Sequence, residues 1–175
     1  MRRPRVRPVL VRLRSGSEVR IRPIRPEDKQ LLVDGLAAMS WDSTYRRFLG
    51  PKKELTDGDL RYLTEVDFHD HVAIVAVRCE DPDTLAGVGR WVRSGDDPAM
   101  AEFAFVVADD LHREGLGTAI VTVLADEARE RGVRRLTATT LPHNVAAQRL
   151  LAGIALRLQT RFHEGVFQLQ GDLAA

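Results

Sequence analysis

Residues 101–120 read AEFAFVVADDLHREGLGTAI. The first eight are apolar except for one carboxylate, Glu102. A short polar loop follows, and Gly115-Leu116-Gly117 opens a stretch with helical spacing. This predicts a strand, a glycine loop and a helix N-terminus, in that order. The free N–H groups at a helix start, with the positive end of its dipole, suit a phosphate. Glycine lets the backbone approach such a ligand without a Cβ in the way. A carboxylate that interrupts an apolar strand is expected to be buried, which would raise its pKa and make it a better base.

Downstream, Ile120, Val121, Leu124 and Ala128 continue the helical stripe, and Gly132 ends it. Residues 133–140 read as a strand. Pro142-His143-Asn144 leads into a helix with Ala147, Leu150 and Leu151 inward, and residues 156–162 and 166–172 form a closing hairpin around Glu164-Gly165. Upstream, residues 9–14 and 18–24 alternate apolar and charged positions on either side of Ser15-Gly16-Ser17, a hairpin with one wet face. Pro26-Glu27-Asp28 starts a helix striped by Leu31, Leu32, Gly35, Leu36 and Met39. Ser40 and Thr56 are expected to cap two more helices, the first broken at Gly50-Pro51. Residues 71–79 and 84–93 are strands joined at Asp81-Pro82-Asp83, and residues 103–107, apolar on both faces, form a central strand.

The resulting order is β-β-α-α-α-β-β-β-α-β-α-β-β. The fold class is α/β: a mixed, mostly antiparallel twisted sheet of about seven strands with one parallel crossover, flanked by four to five helices. A length of 175 residues suits one domain over residues 1–175, with residues 1–14 as an extra strand or arm. Hydrophobic content of 44% and charged content of 29% are ordinary for a globular chain. The single Cys79 excludes an internal disulfide and a cysteine zinc cluster, fits a reducing cytoplasm, and is expected as a small core hydrophobe. Residues 1–7 are Arg-rich and faintly transit-like, but strand alternation begins at once. Residues 1–25 hold nine Arg and one Glu, a net +8 against −7 for the rest. The expected form is a strand pair with solvated arginines. Nucleic-acid binding through this arm is an alternative without interleaved aromatics to support it.

His112-Arg113-Glu114-Gly115-Leu116-Gly117 is similar to the glycine motif of the GNAT acetyltransferase superfamily, with His where the family has Gln or Arg. Asn144 falls where the family often has Asn opening a later helix. The chain resembles more closely the Pat-type bacterial protein lysine acetyltransferases, through Arg22-Pro23-Ile24-Arg25-Pro26-Glu27-Asp28, Tyr45-Arg46-Arg47-Phe48 and Ala101-Glu102-Phe103-Ala104. Pat-type proteins often carry an added regulatory module, for which 175 residues leave no room.

The resemblance implies an N-acetyltransferase with acetyl-CoA as co-substrate and no metal. Glu102 is implied as the general base that takes the proton of an attacking amine; a salt-bridged structural carboxylate is the other reading. His112, Arg113, Glu114, Gly115, Leu116, Gly117 and Thr118 would hold the CoA pyrophosphate, with the Glu114 side chain turned away. Strand residues Val106, Val107 and Ala108 would line the pantetheine arm, with Val106 or Val107 N–H polarising the thioester. Asn144 is either a pantetheine contact or a helix N-cap. The family's usual Tyr acid falls on Leu151, so no general acid is visible. Trp41, Tyr45, Phe48 and Tyr62 would lie along the acceptor cleft, most of them as core. His69 and His71 flank Asp70 without a third or fourth metal ligand. The expected acceptor is a protein lysine, with a small-molecule amine as alternative, and a non-catalytic acyl-CoA-binding regulatory domain is a further reading. A homodimer is a candidate assembly; membrane and nucleic acid are not expected partners.

Overall fold

A computed structural model describes residues 6–52 and 54–174. The first five residues of the Arg-rich start lie outside them. The strands are β1 (Val9–Arg12), β2 (Glu18–Pro23), β3 (His71–Arg78), β4 (Leu85–Arg93), β5 (Met100–Val107), β6 (Arg135–Thr140), β7 (Ala155–His163) and β8 (Val166–Leu173). The helices are α1 (Lys29–Ala38), α2 (Trp41–Phe48), α3 (Asp57–Thr64), α4 (Leu116–Glu130) and α5 (Val145–Ile154). The strands form one sheet in the order β1-β2-β3-β4-β5-β6-β8-β7. Every pairing is antiparallel except β5 with β6, which α4 connects by the crossover that a parallel pair requires. Among the described residues the sheet has eight strands, because β1 joins its edge beside β2.

The helix starts are set by the expected residues. Ser40 Oγ accepts the Ser43 N–H at 3.2 Å. Thr56 and Asp59 cap α3 reciprocally, at 3.1 and 2.9 Å. Pro26–Asp28 form a 3₁₀ turn ahead of α1. Asp28 there accepts both arms of the Arg22 guanidinium at 2.7 and 2.8 Å, tying β2 to the helix layer.

Two cores lie on the two faces of the sheet. Trp91, Leu116, Ile120, Leu124, Leu136 and Leu151 belong to the core under α4 and α5. Ile24, Leu31, Leu32, Val75 and Val88 belong to the core under α1, whose rim includes Leu60 and Leu63 of α3. Gly89 explains how α4 comes so close to β4. A Cβ there would stand 2.7 Å from Ile120 and 2.8 Å from Leu124.

Cys79 departs from expectation. It is exposed, because β3 ends at Arg78 and the chain is already leaving for the turn to β4. Among the described residues no helix is long and apolar enough to cross a membrane.

Candidate active site

Strands β5 and β6 begin as a parallel pair and then part. They are joined only at Met100–Arg135, Ala101–Leu136 and Glu102–Thr137. Beyond Glu102, β5 continues to Val107 paired with β4 alone, while β6 continues to Thr140 paired with β8. A wedge opens in the middle of the sheet, with one edge of β5 free along residues 103–107.

Backbone alternation decides which N–H groups face the wedge. Ala108 donates to Ala86 O at 2.9 Å, on the β4 side. Antiparallel pairing alternates, so Val106 also turns its N–H to β4, and Val107 turns its own into the wedge. Of Val106, Val107 and Ala108, only Val107 therefore presents a donor there. The Val107 carbonyl faces the same way, and His112 Nε2 lies 3.2 Å from it. His112 thus fastens the loop to the strand end through this nitrogen.

The loop then delivers the start of α4. Arg113 has φ +65° and Gly115 has φ +92°. Such left-handed backbone is unusual for Arg, and it turns successive amides to one side. Gly115 is the N-cap residue, and no side chain caps this end. The first helical bond runs from Ala119 N to Gly115 O at 3.2 Å. The N–H groups of Leu116, Gly117 and Thr118 therefore have no helical acceptor. Nothing stands within 4 Å of a Cβ built on Gly115, so the loop is open at that residue. Glu114 does turn away: its carboxylate accepts from Ser15 N at 2.7 Å, in the β1–β2 turn. The residues fit a diphosphate held on main-chain amides.

Glu102 sits at the mouth of the wedge, but it is exposed rather than buried. The expected burial fails because Glu102 stands at the opening, past which β6 no longer flanks β5. Its row across the sheet runs Val92–Glu102–Thr137–Gln170–Gln159. On the same face an open groove of about 260 Å³ is lined by Thr137, Thr139, Gln159, Arg161, Gln168 and Gln170.

On the other side of Glu102 lies the layer α1–α3. Arg47 of α2 and Arg90 of β4 line a small cavity with Leu36, Leu63, Val88 and Val106. Burial lowers the pKa of both guanidinium groups, that of Arg90 to about 9, while the Glu102 charge opposes the shift on Arg47. Sequence reading missed this pair. Arg90 was visible as a charge inside LAGVGRWVR, the same signal that marked Glu102.

The four expected cleft aromatics are not core. Trp41 is 70% exposed and Tyr62 57%, and Tyr45 and Phe48 are only partly covered. Short helices α2 and α3 leave Trp41 and Tyr62 largely uncovered, whereas Phe48 lines the cavity beside Arg47. Trp41 stacks on Tyr45 with centroids 4.9 Å apart, and Tyr62 leans on His71 at 5.0 Å. A link from α2 to the loop was also missed. Asp109 accepts Ser40 N at 2.7 Å and the Ser43 hydroxyl. Burial would raise its pKa, but these serine hydrogen bonds hold it below the usual value.

Asn144 caps α5, its side-chain oxygen accepting the Ala147 N–H at 3.3 Å. Leu151 is 1% exposed, packed in the core. His69 faces Asp70 at 3.0 Å, and His71 Nε2 faces Arg90 Nη1 at 3.1 Å. Burial, then the Arg90 charge, push the pKa of His71 down to about 4.

The family model described as Acetyltransferase (GNAT) family matches residues 36–153. The acetyltransferase Pat of Mycolicibacterium smegmatis is 34% identical over 146 residues, 83% of this chain and 43% of that protein. The chain thus spans less than half the length of that curated relative. The solved GNAT domain of S. lividans PAT superposes with a TM-score of 0.84 at 31% identity, covering 95% of this chain and 97% of that one. A Salmonella typhimurium protein solved with its cofactor acetyl-CoA shares the fold, with a TM-score of 0.64 at 18% identity over 89% of this chain and 94% of that one. The chain belongs to the GNAT family of acetyltransferases.

Proposed function

We propose that this chain transfers acetyl from acetyl-CoA to a primary amine by direct attack, without a covalent enzyme intermediate. The observation that carries this reading is the wedge: β5 parts from β6 immediately after Glu102 and leaves the Val107 N–H unpaired five residues further along the same free edge. The CoA diphosphate rests on the amides of Leu116, Gly117 and Thr118, with Gly115 giving access and Arg113 and His112 shaping the loop. The pantetheine arm runs along the free edge of β5, and the Val107 N–H meets the thioester oxygen. A donor aimed at that oxygen contributes about 3 kcal/mol to the barrier reduction in comparable acyl transfers.

The attacking amine must be neutral, and a lysine ammonium loses its proton only near a pKa of about 10.4. Glu102 takes that proton, directly or through a water, as the C–N bond forms and the C–S bond breaks. Because Glu102 is exposed, its position rather than its burial qualifies it. Leu151 cannot supply a proton, so the CoA thiolate takes one from solvent.

The acceptor we favour is a protein lysine. The polar groove beside Glu102 supports this, since its amide and hydroxyl side chains suit a polypeptide backbone. We place the enzyme in the cytoplasm, acting as one N-acetyltransferase domain over residues 1–175. The test is thiol release from acetyl-CoA with a lysine peptide. Turnover that saturates in both substrates is expected, and CoA binding without turnover on any amine would leave only a CoA-binding domain.

A further inference from the structure

Arg90 is 4% exposed, at the centre of the sheet face that α1–α3 cover. Both of its terminal nitrogens reach Leu63 O at 3.4 Å, and Nη1 also faces His71 Nε2 at 3.1 Å. Its Nε is buried without any partner. Among the described residues, neither Arg90 nor Arg47 makes an ion pair with a carboxylate. The two line one cavity. Two guanidinium groups brought together in an apolar layer repel each other and lose solvation, and Glu102, whose charge reaches Arg47, hydrogen-bonds to neither, so the arrangement is costly unless an anion completes it.

The cavity measures about 30 Å³. That is room for about two waters, or for the two oxygens of a carboxylate. A fork-shaped guanidinium matches a carboxylate with paired hydrogen bonds. The cavity also opens on the right side of the sheet. Arg90 and Glu102 lie on adjacent strands two positions apart in register, since Val92 pairs with Glu102 and Arg90 with Ala104, and so they share one face. Val106 of the free β5 segment lines the cavity as well.

We propose that Arg47 and Arg90 form a carboxylate subsite of the acceptor cleft, so that the preferred acceptor is an amine carrying a carboxylate on the same segment. This rests on the acetyl-transfer reading and adds the substrate class to it. The carboxylate belongs either to a small amino acid or to an acidic residue next to an acceptor lysine. The chemistry at the subsite is the same for both.

The experiment uses the full chain in two arms. Thiol release is compared between 5-aminopentanoate and pentylamine, and between a peptide lysine flanked by Glu and one flanked by Gln. The carboxylate member of at least one pair should be preferred by about tenfold or more, the order expected of a charge-assisted hydrogen bond. The pair that responds identifies the source. Separately, pentanoate and pentanamide are titrated into the CoA-saturated protein by NMR, and pentanoate should bind the more tightly. Arg47→Met should abolish both preferences and Arg47→Lys should keep part of them, in variants of matching melting temperature. Pentanoate selectivity that depends on Arg47, without turnover on any amine, would support the subsite and end the transfer reading. No discrimination in any arm overturns the subsite, and turnover on uncharged amines in that case leaves acetyl transfer standing.

Discussion

Glu102 lies opposite Thr137 in the last pair that joins β5 to β6, and the sheet opens from that pair onward. The carboxylate and the free strand edge are therefore consecutive along one strand. Glu102→Gln keeps the shape and removes the proposed base. It should lower kcat by about a hundredfold, with CoA affinity unchanged in calorimetry. Undiminished turnover would show that solvent alone deprotonates the amine.

Gly115 carries the loop into α4 at φ +92°. Gly115→Val puts a β-branched side chain in backbone that L residues avoid, at a cost of about 1–2 kcal/mol. CoA affinity should fall by about tenfold or more, and a calorimetric titration with CoA reads this directly. Gly165, at φ +83° in the β7–β8 turn, serves as the control. Gly165→Val should lower the melting temperature and leave CoA affinity alone.

Asp109 joins the start of α2 to the segment that follows β5. Asp109→Ala should destabilise the fold by about 1 kcal/mol at neutral pH. The serine hydrogen bonds depress its folded pKa, so its contribution is fully present above the unfolded value of 3.8. It disappears as pH falls through the folded pKa. Denaturation of wild type and variant should therefore converge under acid, and a constant difference across pH would contradict the assignment.

His71 gives the opposite kind of test. Its folded pKa lies at about 4 against 6.5 for the free side chain. Between those values the unfolded chain binds the proton and the folded chain does not, so stability falls as pH drops from 6.5 to 4. His71→Asn should flatten the melting-temperature profile in that window. An NMR titration in which His71 protonates near pH 6.5 would contradict the packing against Arg90.

The order of elements was legible because each has a local cause. Ser40 and Thr56 cap as written, Gly132 stops α4, and alternation marks the hairpins. The glycine loop was legible for the same reason: its chemistry lies in its own backbone. Exposure at the site was not. An apolar strand with one carboxylate suggests burial, yet Glu102 is uncovered because β6 departs there, a fact about a strand more than thirty residues away. The aromatics of α2 and α3 misled in the same way, since helices of eight residues each bury too narrow a face to hide Trp41 and Tyr62. The meeting of Arg47 with Arg90 depends on how α2 lies against β5, the neighbour of β4, which no local pattern records.

The most direct measurement follows backbone amide NMR signals as CoA is added. The account predicts that Leu116, Gly117 and Thr118 shift with the diphosphate, and that Val107 shifts further when acetyl-CoA replaces CoA. Binding that leaves those four amides unmoved, or no binding of either compound by the folded chain, would contradict it.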